Sequence, residues 1–219
     1  MRLPEEEAHH VLKVLRGRDG DALEVVDAEG RLFAAELRGR REAAILGEME
    51  APEEQEISLY QAVPKGARMD LVVEKATEVG VTRIVPLVTE RGVVEPRDGK
   101  VARWRRLAGA AARQSLRMHV PEVLGPVPFA EAAPRAGEGG VLLHNDTDLR
   151  SLEEVVCGSM SLFVGPEGGW SEGELRLAAQ RGLAFAQLGP YRLRSETAGV
   201  VAVARARAAL ESGNVVEGS

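Results

Sequence analysis

Three short stretches of this chain combine glycine with charged or polar residues in a way that suits ligand chemistry. Leu143-His144-Asn145-Asp146 follows an apolar run. Gly165-Pro166-Glu167-Gly168-Gly169 sets three glycines around a proline and a carboxylate. Glycines let backbone approach a ligand closely, although the same pattern also fits a plain tight turn. It is neither a Walker loop, which needs Gly-Lys-Ser/Thr, nor the GxGxxG fingerprint. The third stretch, Leu188 to Ala198, crowds Arg192, Arg194, Ser195, Glu196 and Thr197 at a helix start. A purely structural loop would need only Ser195 there, as a cap. The second and third stretches together imply a cofactor pocket built from backbone groups, with charged residues at its mouth.

Other chemistry is weakly represented. The single cysteine, Cys157, excludes a disulfide framework and a Cys-rich zinc site, and its apolar neighbours read as those of a buried structural thiol. His9-His10 on an acidic helix reads as a surface pair. There is no HExxH and no GxSxG elbow, and nothing resembles a metal site. Trp104 and Trp170 suit base stacking or core packing equally well.

The elements that must carry these stretches fall into two groups. Pro4 and Glu5 to Glu7 predict a helix through residues 4–16. Strand-like runs follow at 22–28, 31–37 and 42–49, with Ala28-Glu29-Gly30 as a hairpin turn. The acidic stretch 48–56, with Pro52, reads as a linker. From Ile57 onward strands (57–63, 82–89, 141–145, 161–165, 184–189) alternate with helices (67–80, 100–119, about 149–156, 172–182, 195–210). Ser171-Glu172-Gly173-Glu174 has capping-box form. Such alternation predicts an α/β fold with a parallel sheet covered on both faces. In that architecture ligands sit at the carboxyl ends of strands, where the three stretches fall. The expected domains are a β-rich unit at 1–56 and an α/β unit at 57–219.

Composition narrows the class. The chain has 219 residues, 44% hydrophobic and 28% charged, ordinary values for a folded protein. No apolar run approaches the ~18 residues of a membrane span. The start MRLPEEEAHH lacks the apolar core of a signal peptide. A soluble, cytoplasmic protein is expected. Arginine supplies 24 of the 28 basic residues, a bias that suits heat stability and equally a GC-rich genome. The net charge of −6 hides an asymmetry: residues 1–59 carry −7, residues 60–120 carry +6 and residues 121–219 carry −5. The basic island includes Arg91, Arg97, Lys100, Arg103, Arg105, Arg106, Arg113 and Arg117. It reads as a phosphate-binding surface or as a solvated helix face.

The runs KGARMDLVVEKATEVGVTRIVPLVTERGVV (65–94), ARQSLRMHVPEV (112–123), FVGPEGGWSEGEL (163–175) and LGPYRLRSETAGVVAVA (188–204) resemble the RsmE family. These are bacterial 16S ribosomal RNA uracil-N3 methyltransferases of the SPOUT superfamily. HHVLKVLRGRDGD (9–21) is similar to the opening of that family's PUA-like domain. The resemblance implies a small N-terminal PUA-like β-barrel that binds RNA and a SPOUT domain with a C-terminal trefoil knot. It implies a homodimer that uses S-adenosylmethionine and acts on uridine 1498 of 16S rRNA in the small ribosomal subunit, with no metal and no membrane.

Carried onto matching positions, the cofactor contacts would be Leu143, Gly165, Glu167, Gly168, Leu188, Gly189, Leu193, Arg194, Thr197 and Ala198. Glu196 is the expected proton acceptor beside Arg194, with Glu78 and Glu90 as alternatives. Arg91, Arg103, Arg105, Arg106, Arg113, Gln114 and Arg117 are the expected RNA contacts, with Arg113, Gln114 and Arg117 sharing one face. Two other readings stay open: a non-catalytic RNA- or ribosome-binding protein, and a tRNA methyltransferase of the same superfamily.

Overall fold

The structure, a computed structural model, describes residues 1–14, 16–27, 31–50, 54–92 and 98–213. The chain divides into two compact units, Met1–Glu54 and Gln55–Ser219.

In the first unit, α1 (Glu5–His9) runs into one π-helical turn, His10–Val14, instead of the continuous helix expected to residue 16. The reversal comes from Gly17. Its N–H reaches back to the Val11 carbonyl at 2.9 Å, and a Cβ there would sit 2.9 Å from the Val11 side chain. Strands β1 (Ala22–Val26), β2 (Leu32–Arg38) and β3 (Glu42–Met49) form an antiparallel sheet in that order. The register slips between Ala34 and Ala35, a bulge that leaves Leu46 exposed. Leu3, Ala8, Ala35, Leu37 and Ala43 make a small core. The expected hairpin turn at 28–30 lies outside the described residues, as does part of the expected linker (51–53).

The second unit alternates strands and helices. In chain order these are β4 (Ile57–Ala62), α2 (Arg68–Glu78), β5 (Arg83–Val88) and α3 (Asp98–Gln114), then the two-residue strands β6 (Glu122–Val123) and β7 (Val127–Pro128). Next come α4 (Phe129–Ala132), β8 (Gly140–Leu143), β9 (Met160–Val164), α5 (Glu172–Gln180), β10 (Ala184–Ala186) and α6 (Ser195–Glu211). All pairings are parallel, in the order β10-β8-β9-β4-β5-β6, with β7 also on β5. Alternate residues of one strand serve opposite faces. Leu59 and Leu162 join the core formed with α2, α3 and α6, whereas Phe163 and Leu142 join Phe129, Trp170 and Ala178 on the other side. Both faces are therefore covered, which is why the strands read as nearly continuous apolar runs.

Two expected helices are shorter than their sequence signals. Helix α3 stops at Gln114, not His119. Leu116 takes the left-handed conformation (φ 56°) usually given to glycine, and the Arg117 N–H closes back on the Ala112 carbonyl at 2.9 Å, a Schellman-type ending. The helix expected near 149–156 is a single 3₁₀ turn, Leu152–Glu154, capped by Ser151. Helix α4 and strands β6 and β7 escaped sequence reading because Pro121, Pro126, Pro128 and Pro134 punctuate that region.

Candidate active site

A cavity of about 300 Å³ opens at the carboxyl ends of β8, β9 and β10, and the three glycine- and charge-rich stretches form its walls. Leu143 ends β8, and His144 and Asn145 follow it; Gly165, Pro166, Glu167 and Trp170 follow β9; Leu188, Gly189 and the run Tyr191–Arg194 follow β10, with Ser195 and Ala198 from α6. Gly189 adopts φ 117°, a conformation L side chains rarely take. Gly165 lies under Trp170, whose ring atom Cε2 would stand 3.0 Å from an added Cβ.

Side chains lock the three walls together. Trp170 Nε1 donates to the Leu143 carbonyl at 3.0 Å. Ser195 Oγ donates to the Gly165 carbonyl at 2.6 Å and accepts from Gln61 Nε2 at 2.9 Å. Gln61 is fully buried in β4. It fits only because residue 199 is glycine, since a Cβ there would stand 2.1 Å from Gln61 Oε1. Behind Trp170, Ser171 and Glu174 form the expected capping box. The second oxygen of the buried Glu174 accepts from the Glu90 N–H at 2.9 Å, so both its oxygens are satisfied, as burial of a carboxylate requires.

The charges around the cavity are unevenly paired. Arg192 and Arg194 stand exposed on its wall with no acceptor among the described residues. Glu196, 5% exposed, lies outside the lining. Its Oε1 is 3.5 Å from Arg68 Nε, and its buried Oε2 has no hydrogen-bond partner among the described residues. Arg68 Nη1 also reaches Glu167 Oε1 at 3.3 Å. Among the described residues no group of three or more His, Cys, Asp or Glu could hold a metal ion, and no helix is long and apolar enough to cross a membrane.

Of the ten cofactor positions named from sequence, eight line the cavity. Gly168 and Thr197 do not: the Gly168 carbonyl accepts from Arg91 Nη1 at 3.2 Å, and Thr197 is exposed. Of the alternative acceptors, Glu78 pairs with Lys75 at 2.8 Å on α2 and Glu90 lies near Gly173.

The arginines named for RNA separate into two sets. Arg103 forks onto Asp70, which also accepts from Trp104 Nε1. Arg105 caps the Val123 carbonyl at 2.9 Å. Arg117 lies beyond the end of α3, so it does not continue the face of Arg113 and Gln114. Its guanidinium instead donates to the carbonyls of Thr77 and Val81 at 2.9 and 2.6 Å. Arg106, Arg113 and Gln114 stay exposed with no partner among the described residues. Sequence reading missed Gln61 and Arg68. The signal for Gln61 was its isolation as the one amide in the apolar run ISLYQAV; Arg68, one cation opening an amphipathic helix, carried none.

A family model described as an RNA methyltransferase domain matches residues 51–207, and one described as an RNA methyltransferase PUA domain matches residues 3–46. Ribosomal RNA small subunit methyltransferase E of Synechocystis sp. is 33% identical, over 93% of this chain and 71% of its own length. The structure of the enzyme of that name from Neisseria gonorrhoeae, bound to S-adenosyl methionine, superposes with a TM-score of 0.72 at 34% identity, covering 93% of this chain and 89% of the other. A Legionella pneumophila methyltransferase in complex with the bound cofactor SAM gives 0.72 at 31% identity, covering 95% and 91%. About a third of the residues being shared over more than nine-tenths of its length, the chain belongs to the ribosomal RNA small subunit methyltransferase E family.

Proposed function

We propose that this protein is an S-adenosylmethionine-dependent methyltransferase of 16S rRNA that modifies N3 of uridine 1498 in the small ribosomal subunit. The observation that carries the reading is the cavity itself, whose walls come from three loops locked to one another in a chain of this family. Its lining suits the cofactor. Leu143, Leu188, Leu193 and Ala198 line an apolar slot that would suit adenine, and the glycine turns would let backbone groups approach the base edge. Arg192, Arg194 and Glu167 suit the carboxylate and ammonium of the methionine part.

The cofactor supplies an electrophilic methyl group on a sulfonium. The chain must hold uracil with N3 in line with that methyl, a task of proximity and orientation. The imide N3–H must also be removed, because its nitrogen has no free lone pair to attack. We assign this proton to Glu196, whose unpartnered Oε2 supports the role. Arg194, on the cavity wall, would stabilise charge left on the uracil oxygens. N3 lies on the pairing edge, so the base must be unpaired or flipped out. Arg91, Arg106, Arg113 and Gln114 are the proposed phosphate contacts, and residues 1–56 the accessory RNA-binding domain.

The path β8–β9–α5–β10–α6, in which β10 pairs on the far side of β8 and the chain then passes Arg150 and Leu152, supports the knotted threading. The exposed rim at Tyr191, Arg192 and Arg194 supports closure by the second subunit of a homodimer. A protein acting on ribosomal subunits would work in the bacterial cytoplasm. The test is methyl transfer to small subunits lacking the modification, followed by mass mapping of the 16S rRNA. One methyl on N3 of uridine 1498 is expected. Binding without transfer, or methylation only of tRNA, would overturn the reading.

A further inference from the structure

The Arg68 guanidinium stands between two carboxylates that belong to different walls of the cavity. Arg68 is the first residue of α2, at the carboxyl end of β4, the strand next to β9. Its Nη1 lies 3.3 Å from Oε1 of Glu167, in the loop after β9, and its Nε lies 3.5 Å from Oε1 of Glu196, in the first turn of α6. The Lys65 N–H donates to the same Glu167 oxygen at 3.3 Å. Among the described residues no group donates to Glu196 Oε2, which is buried. The Arg68 side chain is 44% exposed, whereas that of Glu196 is 7% exposed.

We propose that Arg68 is a positioning residue for methyl transfer, one planar fork that ties the Glu167 loop to Glu196 and fixes which oxygen of Glu196 stays bare. The proposal rests on the methyltransferase reading above. A carboxylate with no partner on either oxygen has no fixed plane. A guanidinium 3.5 Å from Oε1 restrains the plane of the group, leaving Oε2 as the oxygen to accept a proton. The same fork keeps Glu167 at its place on the wall, so entry of the cofactor and orientation of the acceptor are coupled through one side chain. Lysine cannot reproduce this, since a single ammonium has no rigid fork to span two carboxylates. The Arg68–Glu167 pair is partly solvent-exposed, and such pairs contribute little to folding; Arg68→Lys keeps a positive charge beside the buried Glu196. A catalytic effect can therefore be read apart from a structural one.

The experiment compares wild type, Arg68→Ala, Arg68→Lys, Glu196→Gln and the Arg68→Ala/Glu196→Gln double variant. It reads single-turnover methylation of unmodified small subunits at saturating S-adenosylmethionine, cofactor affinity by calorimetry, and thermal midpoint. Arg68→Lys is expected to keep its midpoint within about 3 °C, and Arg68→Ala to lose on the order of 10²-fold in rate. Arg68→Lys should recover only part of that. In the Glu196→Gln background Arg68→Ala should change the rate by less than about threefold, because coupled residues are not additive. Full rate in Arg68→Ala, full recovery by Arg68→Lys, or independent multiplication of the two losses would overturn the proposal. So would a loss confined to cofactor affinity with an unchanged saturated rate. Wild type that transfers no methyl would instead overturn the functional reading, and this proposal with it.

Discussion

The hydroxyl of Ser195 hydrogen-bonds the carbonyl oxygen of Gly165 at 2.6 Å and so fastens the start of α6 to the loop after β9. In the sequence Ser195 is the one residue of its stretch that a purely structural loop would need, as a cap. It makes no capping bond and joins two cavity walls instead, with Gln61 donating to it from a third element. Ser195→Ala leaves the Gly165 carbonyl without its partner and Gln61 Nε2 with the carbonyls of Ala62 and Ser195 alone. An orphaned buried polar group costs about 1–3 kcal/mol. We expect a lower thermal midpoint and weaker S-adenosylmethionine binding, the latter by about tenfold, since 1.4 kcal/mol is a factor of ten. Calorimetric titration beside a melting curve measures both, and equal affinity in the variant would show that the bond does not shape the pocket.

Gly199→Ala tests the space around Gln61. Glycine to alanine inside a helix normally stabilises by ~1 kcal/mol. Here the new Cβ would stand 2.1 Å from Gln61 Oε1, and overpacking of that kind costs about 1–3 kcal/mol. The sign should therefore reverse. Adding Gln61→Ala should make Gly199→Ala harmless. Urea midpoints of the four-member cycle give the coupling directly; a stabilised single variant would contradict the crowding.

The proposed RNA contacts divide by what else they hold. Arg106→Ala/Arg113→Ala should lower the slope of log affinity against log salt by up to ~0.9 per lost duplex contact, or ~0.7 on a single strand, with stability kept. Arg117→Ala should act on stability first, because it removes a donor shared by two carbonyls. RNA-binding isotherms at several salt concentrations separate the two outcomes. An unchanged slope in Arg106→Ala/Arg113→Ala would return this face of α3 to plain solvation.

The Glu153 carboxyl has a clear acid signature. Partial burial works to raise its titration point, but the hydrogen bonds and charge of Arg205, with backbone and Ser151 contacts, win and hold it below the ordinary value of 4.5. A depressed carboxyl contributes stability above its unfolded titration point and loses it as pH falls through the lower folded one. Wild type should therefore exceed Glu153→Gln in stability near neutrality, and the gap should close as the pH drops below about 4.5. Denaturant titrations from pH 7 down to pH 3 check this. A gap that widens in acid would reverse the sign.

The second unit was largely legible because its strands are buried on both sides: runs such as TRIVPLVT and SLFVG can only be interior strands. The capping residues Ser171 and Glu174 were visible for an equally local reason, since their spacing alone defines the motif. Leu116 was not legible. Nothing in its type announces a left-handed turn, and Arg117 is what holds that turn in place, through carbonyls some forty residues away in sequence. Arg103 and Arg105 looked like solvent-facing charge for the same reason. Their acceptors, Asp70 and the Val123 carbonyl, become neighbours only after α3 packs on α2 and β6. At the cavity, glycine and charge marked the walls, but the bonds joining the walls required three-dimensional proximity.

Trp170 lies in the cavity wall and Trp104 is clamped by Asp70 between α3 and α2, and these are the two tryptophans of the chain. The molecule therefore carries an optical probe in the wall of the proposed cofactor cavity. In a Trp104→Phe background all indole emission comes from a ring that hydrogen-bonds the end of β8, covers Gly165 and touches Phe129 at a centroid distance of 5.0 Å. A ligand entering the cavity changes the polarity at that ring, so occupancy can be followed on the stopped-flow timescale without labelling protein, cofactor or RNA.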